Sequence, residues 1–263
     1  MINSKQAAII KKDFKSIVSN KTMLASLIIV PFVFTVFVPF IFILAVHFAP
    51  EQLDDIEQVL EMLPESVKTG DTNHTILVFL INFVMPVFFL LIPIMASTIM
   101  AASSFVGEKE KRTLETLLYC PLSLTQIYQS KVWASFFLSM AVSFSSFLVF
   151  LIVVEVSVYL TTGSLIAPGL TWLFTLLVVS PTVSLLSISL IVVNSAKAKT
   201  MEDAQQRAVF FTLPLLLLLF GQFTGVILIN AWYLLGAGAV FGAISFAIMK
   251  KSMRKFTYEK LLR

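Results

Sequence analysis

The chain has 263 residues, of which 58% are hydrophobic and only 13% charged, and its mean hydropathy is +0.93. A water-soluble domain carries about 25% charged residues, so this chain lacks the polar surface to cover itself in water, and disordered, collagen-like and disulfide-framework classes are excluded too. The net charge of +4 points to no nucleic-acid partner, because the basic residues sit between apolar tracts, and the single cysteine, Cys120, has no second cysteine to pair with.

In chain order, the first 22 residues place Ile10, Phe14, Ile17 and Val18 at helical spacing opposite Lys5, Lys11, Lys12 and Lys15. Such a helix is expected to lie along a membrane surface before turning into the first span. The apolar stretch that follows Lys21 is too long for the centre of a cleavable signal, and no small-x-small cleavage site follows it. Uncharged tracts then run over 22–50, 72–107, 132–154, 156–196 and 208–249. A membrane helix needs about 20 apolar residues. The last two tracts hold two spans each, with turns at Thr161 to Ser164 and near Asn230. The fold expected is an all-α polytopic membrane protein with six transmembrane helices, near 23–47, 75–105, 132–158, 169–193, 208–228 and 232–249. It is expected to form a single transmembrane domain over 1–263.

This count puts both termini on one side, together with the loops 107–131 and 194–207 and the basic tail 250–263. That side holds 18 of the 19 Lys and Arg residues and the other holds only Lys68. Lys and Arg are retained in the cytoplasm, so both termini are expected inside. The external loop 48–74 contains seven acids between 51 and 71 and a net charge of −6 there. Within it, Leu53, Ile56, Leu60 and Leu63 fall on one helical face, read as the inner side of a solvated acidic helix.

Several chemistries find no residues. No GxxxxGK phosphate loop, HExxH or GxSxG is present, so the chain is not expected to be an enzyme, to bind ATP or to hold a metal. His47 and His74 stand alone at the outer ends of spans. Glu155 is the one acid within an expected span, about 36 Å of helix beyond Lys131, which puts it near the outer headgroups. A gradient-driven transporter would have to use Glu155, and a membrane anchor or sensor that moves no cargo is a further reading. Pro31, Pro39, Pro86, Pro93, Pro181 and Pro214 bend spans around a passage lined by Asn82, Ser143, Ser145, Ser187 and Ser189.

The densest motif lies between the second and third spans. Leu114, Leu117 and Leu118 form one apolar stripe on a short helix, with Glu108 and Glu110 in or before its first turn and Pro121 ending it. Ser123 and Gln126 form a capping box with Leu122 and Ile127 as its hydrophobic staple, opening the helix of the third span. A short helix projecting from two membrane helices suits docking into a groove of a cytoplasmic partner. A second cap, Thr200 with Asp203, opens the helix leading into the fifth span. Gly221 with Gly225 and Gly238 with Gly242 place small residues on one face of each of the last two spans, for packing within the chain or against a second copy.

Gly107, Glu108, Glu110, Thr113, Leu114, Glu115, Leu117, Leu118, Pro121 and the later Lys131 resemble the pattern G-E-x-E-x-x-T-L-E-x-L-L-x-x-P of type-2 ABC exporter permeases, near the sodium-efflux branch. The resemblance implies that 107–121 holds a coupling helix docking on a separate ATP-binding subunit. In that reading Glu108, Glu110, Thr113, Leu114, Leu117, Leu118 and Lys131 serve coupling, and Thr200 and Asp203 belong to a smaller second contact. It also implies two permease chains, identical or homologous, with two ATPases. ATP and Mg would be bound by the ATPases, the setting would be a bacterial plasma membrane, and the cargo an amphipathic compound, a peptide or a cation.

Overall fold

The computed structural model describes residues 4–48, 72–111, 113, 122–195, 198, 200–210, 213–214, 217, 220–221 and 231–255. Helix accounts for every regular element among them. The helices are α1 (Ser4–Ser19), α2 (Lys21–Phe48), α3 (Thr72–Glu110), α4 (Leu124–Thr162), α5 (Leu170–Ser195), α6 (Met201–Val209) and α7 (Ala231–Lys255). Five of these, α2, α3, α4, α5 and α7, are long and apolar enough to cross a bilayer. They coincide with five of the six spans read from the sequence. The remaining one, 208–228, falls mostly outside the described residues, as do the acidic loop and the leucines 114, 117 and 118.

Local chemistry explains the helix ends. Asn20 caps α2, its Oδ1 accepting from the backbone N–H groups of Thr22 and Met23 at 3.1 and 3.2 Å. At α4 the capping box is present in both directions: Ser123 Oγ accepts from Gln126 N at 3.3 Å and Gln126 Oε1 accepts from Ser123 N at 3.0 Å. Leu122 and Ile127 meet as the staple, with Ile9 of α1 packed onto them. Gly163 ends α4 with φ of 69°, a left-handed geometry that a side chain would strain.

Three of the prolines act through π turns, which widen a helix by one residue. Turns at Val33–Phe37, Leu80–Val84 and Thr175–Val179 each stop two residues before a proline, namely Pro39, Pro86 and Pro181. Proline has no N–H for the carbonyl four residues back and clashes with it. That carbonyl belongs in each case to the middle of the π turn, at Thr35, Asn82 and Leu177. The widened turn at 80–84 also lends the Ile81 carbonyl to Trp172, whose Nε1 donates to it at 2.9 Å. The indole is fully buried among Phe89, Phe147 and Phe150. An unpaired N–H there would cost about 2 kcal/mol or more.

Between hydrocarbon chains and leucines there is no hydrophobic drive, so helices associate by close packing of small and polar residues. Ser135, Ser139 and Ser143 recur every fourth residue on the buried side of α4. On α7, a Cβ at Gly238 would stand 2.8 Å from Val178 Cγ1, and one at Gly242 would stand 3.2 Å from Thr182 Cγ2. These two glycines thus face α5 of their own chain. Most of α3 is buried at the centre of the bundle, while α2, α4 and α7 turn large apolar side chains such as Phe40, Leu148, Ile152 and Phe246 outward. Those outward faces are the lipid-facing surface of a multi-pass membrane protein.

One end of the bundle differs from the other. The C-terminal ends of α3, α5 and α7, the N-terminal end of α4, and both short helices α1 and α6 gather there. Every described Lys and Arg belongs to that end. The opposite end carries Gly163 to Gly169 and the residues around His47 and His74.

Candidate functional site

The basic end is organised around Glu108. The helix α3 runs on through Glu110, so Glu108 and Glu110 ride on its last turn ahead of any following helix. A fourth π turn, Ala102–Val106, lies just before them. Glu108 is buried and divides its carboxylate: Oε2 accepts from Lys131 Nζ and Oε1 from Lys12 Nζ, each at 2.5 Å. Lys131 projects from α4 with its side chain 3% exposed; Lys12 comes from α1 and is 51% exposed. The Lys131 ammonium also donates to the Ser104 carbonyl in the middle of the π turn and sits 5.4 Å from the centre of the Phe105 ring.

Asp13 completes the cluster. Its Oδ2 accepts from Ser104 Oγ at 2.6 Å, and it is buried. Burial pushes its carboxyl above the ordinary value of 3.8; Lys131, the Ser104 hydroxyl and Lys12 pull it back, and Glu108 adds to the rise. Two carboxylates thus face two ammonium groups in a largely dry site. Beside them a cavity of about 210 Å³ opens between α1 and the end of α3, bounded by Lys12, Asp13, Ser103, Glu108, Lys111 and Thr113. Thr113 caps α3, its backbone N–H donating to the Glu108 carbonyl at 2.9 Å and its hydroxyl at 3.4 Å.

Glu110 faces elsewhere. Its Oε2 accepts from the Met201 backbone N–H at 3.1 Å, at the start of α6. Thr200 caps the same helix, Oγ1 accepting from Asp203 N at 3.2 Å, and Asp203 pairs with Arg207 at 2.8 Å. The structure therefore brings Glu108, Thr113 and Lys131 into one site and connects Glu110 to the segment of Thr200 and Asp203.

The residues expected to line a passage each make a hydrogen bond within the chain. Asn82 Oδ1 accepts from Gly169 N at 2.6 Å and fastens the loop after α4 to α3. The hydroxyls of Ser143, Ser145, Ser187 and Ser189 donate to carbonyls three or four residues back in their own helices. None of the five lines the cavity at the basic end. Glu155 lies seven residues before the end of α4, and its Oε2 is buried without a hydrogen-bond partner. Gly221 is described and half-buried; Gly225 lies outside the described residues. No group of three or more metal-ligating side chains occurs among the described residues.

Sequence reasoning missed Lys12, Asp13 and Ser104. On α1 the side buried within the chain is Gln6, Ile9, Asp13 and Ile17, with Ile10 and Phe14 half-buried and Val18 60% exposed. A signal was available, since Asp13 is the only acid among the first 50 residues and stands beside four lysines of its own helix.

A long-helix bundle carrying the G-E-x-E-x-x-T pattern where two spans meet is what a family comparison can decide. The model of the ABC-2 type transporter family matches residues 6–233. The chain belongs to the ABC-2 type transporter family. A search of curated proteins gives no match. Members of this family are the membrane-embedded permeases of ABC transporters, not themselves catalytic, and they normally pair with an ATP-binding subunit. The ABC-2 match takes in α2 to α6 and the start of α7, along with α1 from Gln6 onward, so the cluster around Glu108 lies wholly within it.

Proposed function

We propose that this ABC-2 type permease is the exporter half of an ATP-driven complex, docked to a separate ATPase through the segment 107–121. In this reading the chain has six spans with both termini in the cytoplasm. The helix α1 lies along the inner membrane surface, and α6 forms a second, smaller contact. Two such chains and two ATPases make the working unit, the ATPases bind ATP and Mg, and a bacterial plasma membrane is the setting. The cargo is an amphipathic compound, a peptide or a cation. The apolar stripe Leu114, Leu117 and Leu118 seats on the ATPase, while Glu108, Thr113 and Lys131 anchor its base.

The observation that carries this reading is the buried pairing of Glu108 with Lys131 and Lys12. A lever needs a stiff base, and three helices are tied at the residue where the loop leaves α3. Affinity purification of the tagged chain in mild detergent, followed by an ATPase assay, tests it. A roughly stoichiometric Walker-motif protein should co-purify and be lost in the Leu114→Asp/Leu117→Asp variant. A permease that elutes alone under gentle conditions would sink the assignment.

One observation favours a second reading. The buried, unpartnered Oε2 of Glu155 would suit a proton or cation site of a gradient-driven transporter. Glu155→Gln should then abolish transport, whereas normal transport by that variant leaves the ATP-driven reading standing.

A further inference from the structure

Glu110 belongs to the family-like pattern, yet its carboxylate turns inward, toward its own chain. It accepts from the first N–H of α6, where an anion also complements the positive end of the helix dipole. One helical turn earlier, Gly107 makes a second contact with the same residue. A Cβ at Gly107 would stand 2.7 Å from Met201 Sδ, so a side chain there would push the Met201 thioether away from α3. Beyond Gly107 that side chain packs against a cluster built from α1, α2, α3 and α4, including Ile17, Leu27, Met100 and Ala134. Further along α6, Ala204 is fully buried in the cluster that holds Ala101, Phe105 and Ile191. The short helix is therefore held at its N-terminus by charge and along its length by packing. The charged hold comes from the last turn of α3, and the packing comes from α3 together with α1, α2, α4 and α5.

We propose that Glu110 is a positioning residue that locks α6 to the end of α3, so that 107–113 and 200–209 move as one body when the ATPase drives the loop. This deepens the proposed coupling role and rests on it. The ATPase then moves two segments of the permease through one docking loop, and α6 passes that movement into the helix that follows it. Gly107 and Glu110 thus act within the chain, and the leucine stripe makes the main contact with the partner.

The test uses the full complex, with the Cys120→Ser chain as background. Ala167, exposed in the loop at the opposite end of the bundle, is changed to Cys and labelled with a membrane-impermeant maleimide, with and without ATP and vanadate. With Glu110 intact, ATP plus vanadate should change the labelling rate about fivefold or more. Glu110→Ala should bring the change below about twofold while the ATPase stays bound, because the leucine stripe is untouched. Glu110→Gln, which still offers an oxygen to Met201, should restore most of the response; a merely structural defect would instead lower the yield of the assembled complex. A full response in Glu110→Ala with the partner bound would overturn the inference. Absence of an ATPase from the chain with Glu110 intact would instead defeat the docking reading, and is told apart because no substitution at 110 is present.

Discussion

At the residue scale, Glu108 shares its two oxygens between lysines of very different exposure, and that difference sets what each is worth. Lys131 is buried, so removing it leaves a carboxylate in a dry site with half its compensation. Lys131→Met should cost about 3 to 5 kcal/mol, whereas Lys12→Ala, whose ammonium is half in solvent, should cost about 0 to 1 kcal/mol. Thermal unfolding of the two variants in detergent would check this, and equal losses would contradict the split. Asp13 gives a pH signature. Its folded value is raised above 3.8, chiefly by burial, so in the window just above 3.8 the folded state binds more protons than the unfolded one. Stability from this group is therefore full below 3.8 and is lost as pH rises through the raised value. The Asp13→Asn variant should lack that slope while keeping an acceptor for Ser104; melting curves between about pH 4 and about pH 7 would show the difference.

At the scale of elements, what could be read along the chain was read well. The cap at Ser123, the left-handed stop at Gly163 and the cap at Thr200 are local, since side chain and backbone partner lie within a few residues. Prolines announced distortion, but that it takes the form of a π turn before Pro39, Pro86 and Pro181 is visible only in the hydrogen bonds. The burial of Gln6 and Asp13 on α1 was not legible, because both look polar in sequence and are buried by partners on α3 and α4: Ser104 for Asp13, the Gln126 carbonyl for Gln6. The two small-residue pairs were ambiguous between internal packing and a subunit contact. For Gly238 and Gly242 the near atoms belong to α5. Gly238→Ala should then cost about 1 to 3 kcal/mol through overpacking against Val178. Gly236→Ala, two residues earlier and with nothing within 4 Å of its Cβ, should be neutral or mildly stabilising. Comparable losses in both would mean that helix geometry, not the α5 contact, governs this face.

At the scale of the whole molecule, α3 and α4 have 39 residues each, about 58 Å of helix against a hydrocarbon core of about 30 Å. Both overhang the membrane, and the overhang at the basic end carries the cluster around Glu108. If that end is cytoplasmic, Lys5→Cys should resist an impermeant maleimide in intact cells and Ala167→Cys should react. The reverse pattern would invert the proposed topology.

The sequence by itself determined the class, the approximate positions of five long apolar helices, the caps at Ser123 and Thr200 and the asymmetry of charge. Each depends on the length of an apolar tract against the bilayer or on contacts within one helical turn. Only the tertiary structure decided what the motif residues touch. Lys12 and Glu108 are 96 positions apart, Asp13 and Ser104 are 91 apart, and Glu110 and Met201 are 91 apart. No periodicity encodes such pairings, because they arise when helices distant in the chain bring polar groups into one dry place, where each charge must find a partner.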